Sequence, residues 1–431
     1  MQDIIAELQW RGLVHQTTEP VAQMTAWLNE APRTLYAGFD PTADSMHVGH
    51  LIPLLMLRRF QRAGHKSIAL VGGATGMIGD PTGKSEERNL LSVEELEHNV
   101  AGMAAQMRRF LDFDAKSANS AQLLNNFDWM RKFSYLDFLR DVGKHFPVNV
   151  MLAKDSVKAR LESDAGISYT EFSYMLVQSY DFVYLNEHHG CQLQVGGSDQ
   201  WGNITAGIDL ARRMHSVQLH ALTCPLLTKA DGSKMGKTEG GALWLSPERT
   251  SPYQFYQYWI NVDDADAGKC LRFFTDLTRD EVESLDAARA ADPGKRESQR
   301  RLAEELTRMV HGGEGLTAAK RATEIFFGAE IEKLSDRQLG EIFADVPSRE
   351  VARDRLAGGL SLVDALVESG LAKSKGDARR TIQQGGAYVN NRRMSDVESK
   401  LTAADLASET VMVLRSGKKS YALLRFSGSP G

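Results

Sequence analysis

A chain of 431 residues is too long for one hydrophobic core and implies two or three domains. With 42% apolar and 25% charged residues it is neither disordered nor fibrous, and no run of about 18 apolar residues suggests a membrane span. Cys191, Cys224 and Cys270, odd in number and far apart, argue against a disulfide framework; the start of the chain does not read as a signal peptide, so a cytoplasmic protein is expected.

The start, MQDIIAELQWRGL, reads as an amphipathic helix with early acids, not as a basic region leading into a signal-peptide core. Leu35 to Phe39 reads as a buried strand, ended by the turn Asp40-Pro41-Thr42 because proline fixes φ and disfavours helix in the residue before it. Asp44 or Ser45 can then cap a helix. His47 and His50, three apart, share the face of its first turn near free backbone N–H groups, a place that suits phosphate. Gly49 between them lets a flat group such as a purine approach the backbone.

A second strand, Ser67 to Val71, leads into the loop GGATGMIGDPTGK. Its Gly83-Lys84-Ser85 ending invites a P-loop reading, which fails because Ile78 stands where the first glycine should be. Ser92 and Glu95 form a capping box for a helix to about Leu111. A third strand falls near Gln122 to Asn125, followed by helices at Phe133–Lys144, Val148–Leu161 and Tyr169–Leu185, a strand at Gln192–Val195 and the turn Gly196 to Gln200. Leu222 to Thr228 is the last strand before the polar loop ADGSKMGKTEGG. Strands alternating with helices imply an α/β domain with a parallel sheet and ligands at its carboxyl edge.

Ser251 to Gly328 is helical in pattern, with a separate all-helical domain starting near Pro252, and the mixed, acidic stretch from Ala329 to Leu356 reads as a linker. The tail reads as two short helices, a strand near Ala387 to Asn390 and a hairpin, Glu409–Leu414 with Tyr421–Phe426. From Leu356 onward eleven Lys and Arg face seven Asp and Glu, or +4, so with a net charge of −5 the rest carries −9. A basic tail on an acidic body suits a module that meets a polyanion.

Tyr174, Gln178 and Asp181 stand at i, i+4 and i+7 and form one polar line on an otherwise apolar helix. Either the line faces solvent, as most such faces do, or it is buried, and a buried aspartate costs several kcal/mol unless partnered, on the order of other unpaired polar groups. His188, His189 and Cys191 lack the spacing of a metal set, so no metal site is expected.

His-Val-Gly-His after the first strand and Lys-Met-Gly-Lys-Thr after the last resemble the paired signatures of class I aminoacyl-tRNA synthetases. The surrounding residues resemble the bacterial-type tyrosyl-tRNA synthetases over nearly the whole chain. LAKSKGDARRTIQQGGAYVNN resembles the S4 RNA-binding module. The resemblance implies a Rossmann-like catalytic domain at 1–250 with a helical dimerisation insert at about 126–190. It further implies a helical anticodon-region domain at 251–330, a linker at 331–355 and a small α+β S4-like domain at 356–431.

By the same resemblance, Tyr36 and Asp181 hold a tyrosine hydroxyl, Asp80, Tyr174 and Gln178 the α-amino group, and Gln200 the carboxyl group. Asp199 faces the ATP ribose, and Gly38, Asp40, Thr42, Gly49 and Gly197 line the nucleotide. His47, His50, Lys84, Arg88, Lys234, Lys237 and Thr238 meet the phosphates during attack on the α-phosphorus. ATP with Mg²⁺, L-tyrosine and tRNA(Tyr) are the implied partners of a homodimer, with Lys375, Arg379, Arg380, Arg392 and Arg393 on the RNA. Ala37, Pro53 and Met235 depart from the cysteine, threonine and aromatic residue frequent at those positions, and none of the three changes a charged group. A non-catalytic RNA-binding relative would not need the intact histidines and lysines, nor a tryptophan-specific one the Tyr36 and Asp181 pair.

Overall fold

The first expected strand spans Thr34–Phe39 (β2) and lies in the middle of a six-stranded sheet. The computed structural model describes residues 3–82, 91–162, 166–238, 241–331, 334–344, 346–417 and 420–427. The chain forms two compact units, residues 1–250 with 259–310, and residues 251–258 with 311–431. Among the described residues no helix is long and apolar enough to cross a membrane.

In the first unit β1 (Gln16–Thr17), β2, β3 (Lys66–Val71), β4 (Gln122–Asn125), β5 (Cys191–Gly197) and β6 (His220–Cys224) are ordered β1-β6-β5-β2-β3-β4. All pairings are parallel except that of β1 with β6. The chain runs from β2 outward to β3 and β4 on one side and returns to build β5 and β6 on the other. The crevice at the carboxyl ends of β2 and β5 is therefore the switch point where open α/β sheets take ligands. Leu35, Tyr36, Ala37 and Phe39 are buried, whereas Gly38 is exposed and a Cβ there would meet nothing within 4 Å, so the crevice opens over Gly38.

Local chemistry moved several boundaries. The helix Val48–Arg62 is capped by His47 itself, not by Asp44 or Ser45. Asp44 pairs with Arg249, and the Ser45 hydroxyl donates to the Met46 carbonyl. The helix runs on past Pro53, whose ring nitrogen has no hydrogen for the Gly49 carbonyl. Its apolar residues are buried nearly all round, which holds the helix through that defect. The expected helix Val148–Leu161 divides into Val148–Leu152 and Asp155–Leu161, and the last strand of the sheet stops at Cys224, before Pro225. Helices Asp264–Phe274 and Arg279–Ala291 complete the unit with the first part of Glu297–Phe326, which Gly312 breaks at φ 76°.

The second unit is built on a five-stranded sheet whose central hairpin pairs Val411–Ser416 with Ser420–Ser427. Met412, Leu414, Leu424 and Phe426 face one core with Leu362, Leu366, Ala378 and Ile382. Val411, Val413, Tyr421 and Leu423 face another with Ile325, Leu339, Ile342 and Phe343. Burial on both faces explains an unbroken apolar run in an antiparallel strand, where one-sided burial would require alternation. Residues 331–355, mixed and acidic in sequence, hold the helix Asp336–Ile342 under that second face and the strand Ser348–Ala352, which pairs parallel with Ser420–Ser427.

Candidate active site

The two histidines form a reciprocal cap. His47 Nδ1 accepts from the Gly49 N–H at 3.1 Å, and His50 Nδ1 accepts from the His47 N–H at 3.1 Å. An accepting Nδ1 makes each neutral ring an Nε2–H tautomer, so both rings carry their donor on the far nitrogen. The rings stack at 3.9 Å between centroids, 25° from parallel. Gly49 is required by this arrangement, because a Cβ there would lie 2.8 Å from His47 Cε1.

Asp181 is buried, with Tyr174 beside the same interior and Gln178 half-buried, so the polar line of this helix faces inward. Trp129 Nε1 donates to Asp181 Oδ1 at 2.9 Å and Asn126 Nδ2 donates to Oδ2 at 3.0 Å. Burial pushes the Asp181 carboxyl up to about 8, against the pull of those two donors. The Tyr36 hydroxyl is buried with no hydrogen-bond partner among the described residues, and burial, then the nearby Asp181 charge, raises it well above an ordinary phenol. The Tyr36 ring packs edge-on against Phe182 at 5.2 Å.

From Asp181 a chain of hydrogen bonds runs to Asp40, just past the end of β2. Asn126 Nδ2 also donates to Thr75 Oγ1 at 3.1 Å, Thr75 Oγ1 to Asp40 Oδ1 at 2.7 Å, and the Tyr174 hydroxyl to Asp40 Oδ2 at 2.9 Å. Asn126, Trp129 and Thr75 belong to no motif visible in the sequence. Their one signal is position: Asn126 follows the carboxyl end of β4, and Thr75 the glycines after β3. Gln200 Nε2 donates to Asp80 Oδ2 at 2.8 Å, and Gln178 Nε2 reaches Gln200 Oε1 at 3.4 Å. Gln178 Oε1 is buried without a partner among the described residues.

Gly197 and Asp199 lie at the end of β5, where a Cβ on Gly197 would come within 2.5 Å of Asp199 Oδ1. Thr42 follows β2, its N–H donating to the Asp40 carbonyl at 2.9 Å. Lys234 and Lys237 are exposed, and Thr238 lies with Lys237 in a two-residue strand. The segment after it returns to the histidines, Val48 N–H donating to the Leu243 carbonyl at 3.0 Å. Lys84 and Arg88 lie outside the described residues. Cys191 is buried in the core, His188 stacks on Tyr184, and His189 bonds Gln122. Among the described residues no group of three His, Cys, Asp or Glu side chains is placed to hold a metal ion.

In the second unit Lys375, Arg379, Arg380, Arg392 and Arg393 are all exposed, on the helix Lys375–Gln383 and the strand Arg392–Met394. Arg393 Nε donates to the Gly385 carbonyl at 2.9 Å, which fastens that strand to the end of the helix.

Residues 28–328 match the family profile described as tRNA synthetases class I (W and Y), and residues 338–424 that of the tyrosine–tRNA ligase SYY-like C-terminal domain. The chain is 60% identical to a tyrosine–tRNA ligase of Rhodopirellula baltica, over 98% of this chain and 96% of that one. It is 51% identical to one from Geobacillus stearothermophilus, over 99% and 100%. Among solved structures, a C-terminally truncated mitochondrial tyrosyl-tRNA synthetase of Aspergillus nidulans is similar at a TM-score of 0.67 and 30% identity, over 75% of this chain and 94% of that one.

Proposed function

The chain belongs to the tyrosine–tRNA ligases of class I, and from that membership we propose that Tyr36 and Asp181 receive the phenolic hydroxyl of L-tyrosine. The enzyme activates L-tyrosine with ATP to tyrosyl-adenylate and pyrophosphate, then transfers tyrosine to the 3′ end of tRNA(Tyr). The observation that carries the assignment is the buried Tyr36 hydroxyl, without a partner among the described residues, near the Asp181 carboxyl group that Asn126 and Trp129 orient. Such a site selects against phenylalanine because the smaller substrate leaves buried polar atoms unpaired, an effect for which tyrosyl-tRNA synthetases are themselves the standard example.

An ammonium has three donors, and Asp80, the Tyr174 hydroxyl oxygen and Gln178 Oε1 offer three acceptors for the α-amino group. Gln200, held by Asp80, turns toward the substrate carboxylate. That carboxylate attacks the α-phosphorus in line, and catalysis is mainly positioning and stabilisation of charge on the leaving pyrophosphate. His47 and His50 donate from Nε2, since Nδ1 is occupied by backbone. Thr42, Lys84, Arg88, Lys234, Lys237 and Thr238 complete the clamp. Gly38, Asp40, Gly49, Gly197 and Asp199 border the nucleoside, and ATP enters as its magnesium complex.

The basic cluster of the second unit, with its S4-like text, takes the tRNA backbone. Exposed apolar side chains between Tyr135 and Tyr169, among them Tyr135 at 63%, Leu136 at 74% and Val148 at 59%, support pairing with a second copy. The three cysteines are free and buried, which fits a cytoplasmic setting. Pyrophosphate exchange with tyrosine, phenylalanine and tryptophan tests the pocket: exchange with tyrosine alone is expected, and equal exchange with phenylalanine would place the phenol elsewhere.

A further inference from the structure

The lysine loop is seated on a helix that follows the nucleotide-binding fold. Three side chains on one face of Asp264–Phe274 hold it, at i, i+3 and i+4. Asp266 Oδ1 accepts from the Ala230 N–H at 2.8 Å, Lys269 Nζ donates to the Thr228 carbonyl at 2.8 Å, and the Cys270 sulfur lies 3.5 Å from that of Met235. Asp266, Cys270 and Met235 are all buried. Burial pushes the Cys270 thiol up to about 12, so this sulfur packs as a neutral thiol.

These anchors straddle Lys234. The Lys229 N–H donates to the Ser233 carbonyl at 2.8 Å and the Met235 N–H to the Leu227 carbonyl at 3.2 Å, so Thr228 and Ala230 stand on one arm of a hairpin and Met235 on the other. The same helix is gripped at its far end from the histidine side. Arg59, on the helix that His47 caps, donates through Nη2 to the carbonyls of Phe273 and Thr275 at 2.9 and 3.2 Å.

We propose that Asp264–Phe274 sets the spacing between the histidines and the lysine loop, and that Asp266 and Lys269 are positioning residues for tyrosyl-adenylate formation. A loop held in place does not have to be ordered at each turnover, so losing its seat slows the chemical step without touching the tyrosine pocket. The inference rests on the assignment of Lys234 and Lys237 to the departing phosphates.

The test compares Asp266→Ala, Asp266→Asn, Lys269→Met and Lys234→Ala in the full-length protein by single-turnover adenylate formation and equilibrium tyrosine binding, and the first three also by tryptic cleavage after Lys234. Asp266→Ala is expected to slow adenylation by about tenfold, the effect of one hydrogen bond to a charged group. Tyrosine affinity should be unchanged and cleavage faster. Asp266→Asn keeps an acceptor for Ala230 and should recover most of the rate. Lys269→Met, which keeps the apolar stem, should slow the step in the same way and gives the answer if Asp266→Ala does not fold. A normal rate in Asp266→Ala and Lys269→Met, with Lys234→Ala slow, overturns the seat and leaves the lysine assignment standing. Normal rates in all of them overturn the lysine assignment itself. Equal losses of rate and tyrosine affinity mark general damage and also overturn the proposal.

Discussion

Tyr36→Phe should move stability and selectivity in opposite directions. The substitution removes one oxygen from a side chain that is 1% exposed and keeps the ring against Phe182. A buried hydroxyl without a partner costs about 1–3 kcal/mol, so the unliganded variant should be at least as stable as the parent and gain up to about 2 kcal/mol. With tyrosine bound, the lost hydrogen bond to a neutral group is worth roughly 0.5–1.5 kcal/mol, or a drop of about three- to tenfold in the preference for tyrosine over phenylalanine. Urea unfolding of the free protein gives the first quantity, and the ratio of kcat/KM for the two amino acids in pyrophosphate exchange gives the second. A destabilised free protein with unchanged selectivity would refute the reasoning, because it would mean that the hydroxyl serves the fold and not the substrate.

Asp181→Asn tests the raised carboxyl through pH. With a folded value of about 8 against an unfolded value of about 3.9, the native state holds a proton that the unfolded state has lost. This contribution is complete below the unfolded value and fades as pH rises through the folded one, so wild type should lose about 1.4 kcal/mol per pH unit relative to the variant between those limits. A pH-independent difference in unfolding free energy would refute it, whatever constant offset the amide brings by facing Asn126. Gly49→Ala should slow adenylation by displacing His47 with little net change in stability, since alanine's better helix propensity, about 1 kcal/mol, offsets a lost cap worth about 0.5–2 kcal/mol; an unaltered rate would remove the histidine cap from the mechanism. Replacing Arg379 and Arg380 together by alanine should weaken tRNA binding and flatten its dependence on log salt by about 2, one for each phosphate contact. An unchanged slope in a binding titration would exclude the pair from the RNA surface.

The features legible in the chain alone are local ones. His47 and His50 fall within one helical turn, and the order strand, helix, strand limits where a ligand can sit, so the crevice was legible before any packing was known. The cap was not, because the spacing points to Asp44 or Ser45, whereas Arg249, distant in sequence, draws Asp44 away and His47 caps the helix instead. Whether Asp181 faced water or the interior was undecidable from a helix with apolar residues on every side. Asn126 and Trp129, brought in by the end of β4, make that burial tolerable. The two-faced core of the second unit was hidden for a similar reason, since Ser348–Ala352 joins the sheet by a parallel pairing with Ser420–Ser427, far away in sequence. Spacing along a chain reports neighbours within a turn or a strand. Which polar group is buried, and who satisfies it there, depends on residues from distant segments that meet only when the sheet closes its crossovers.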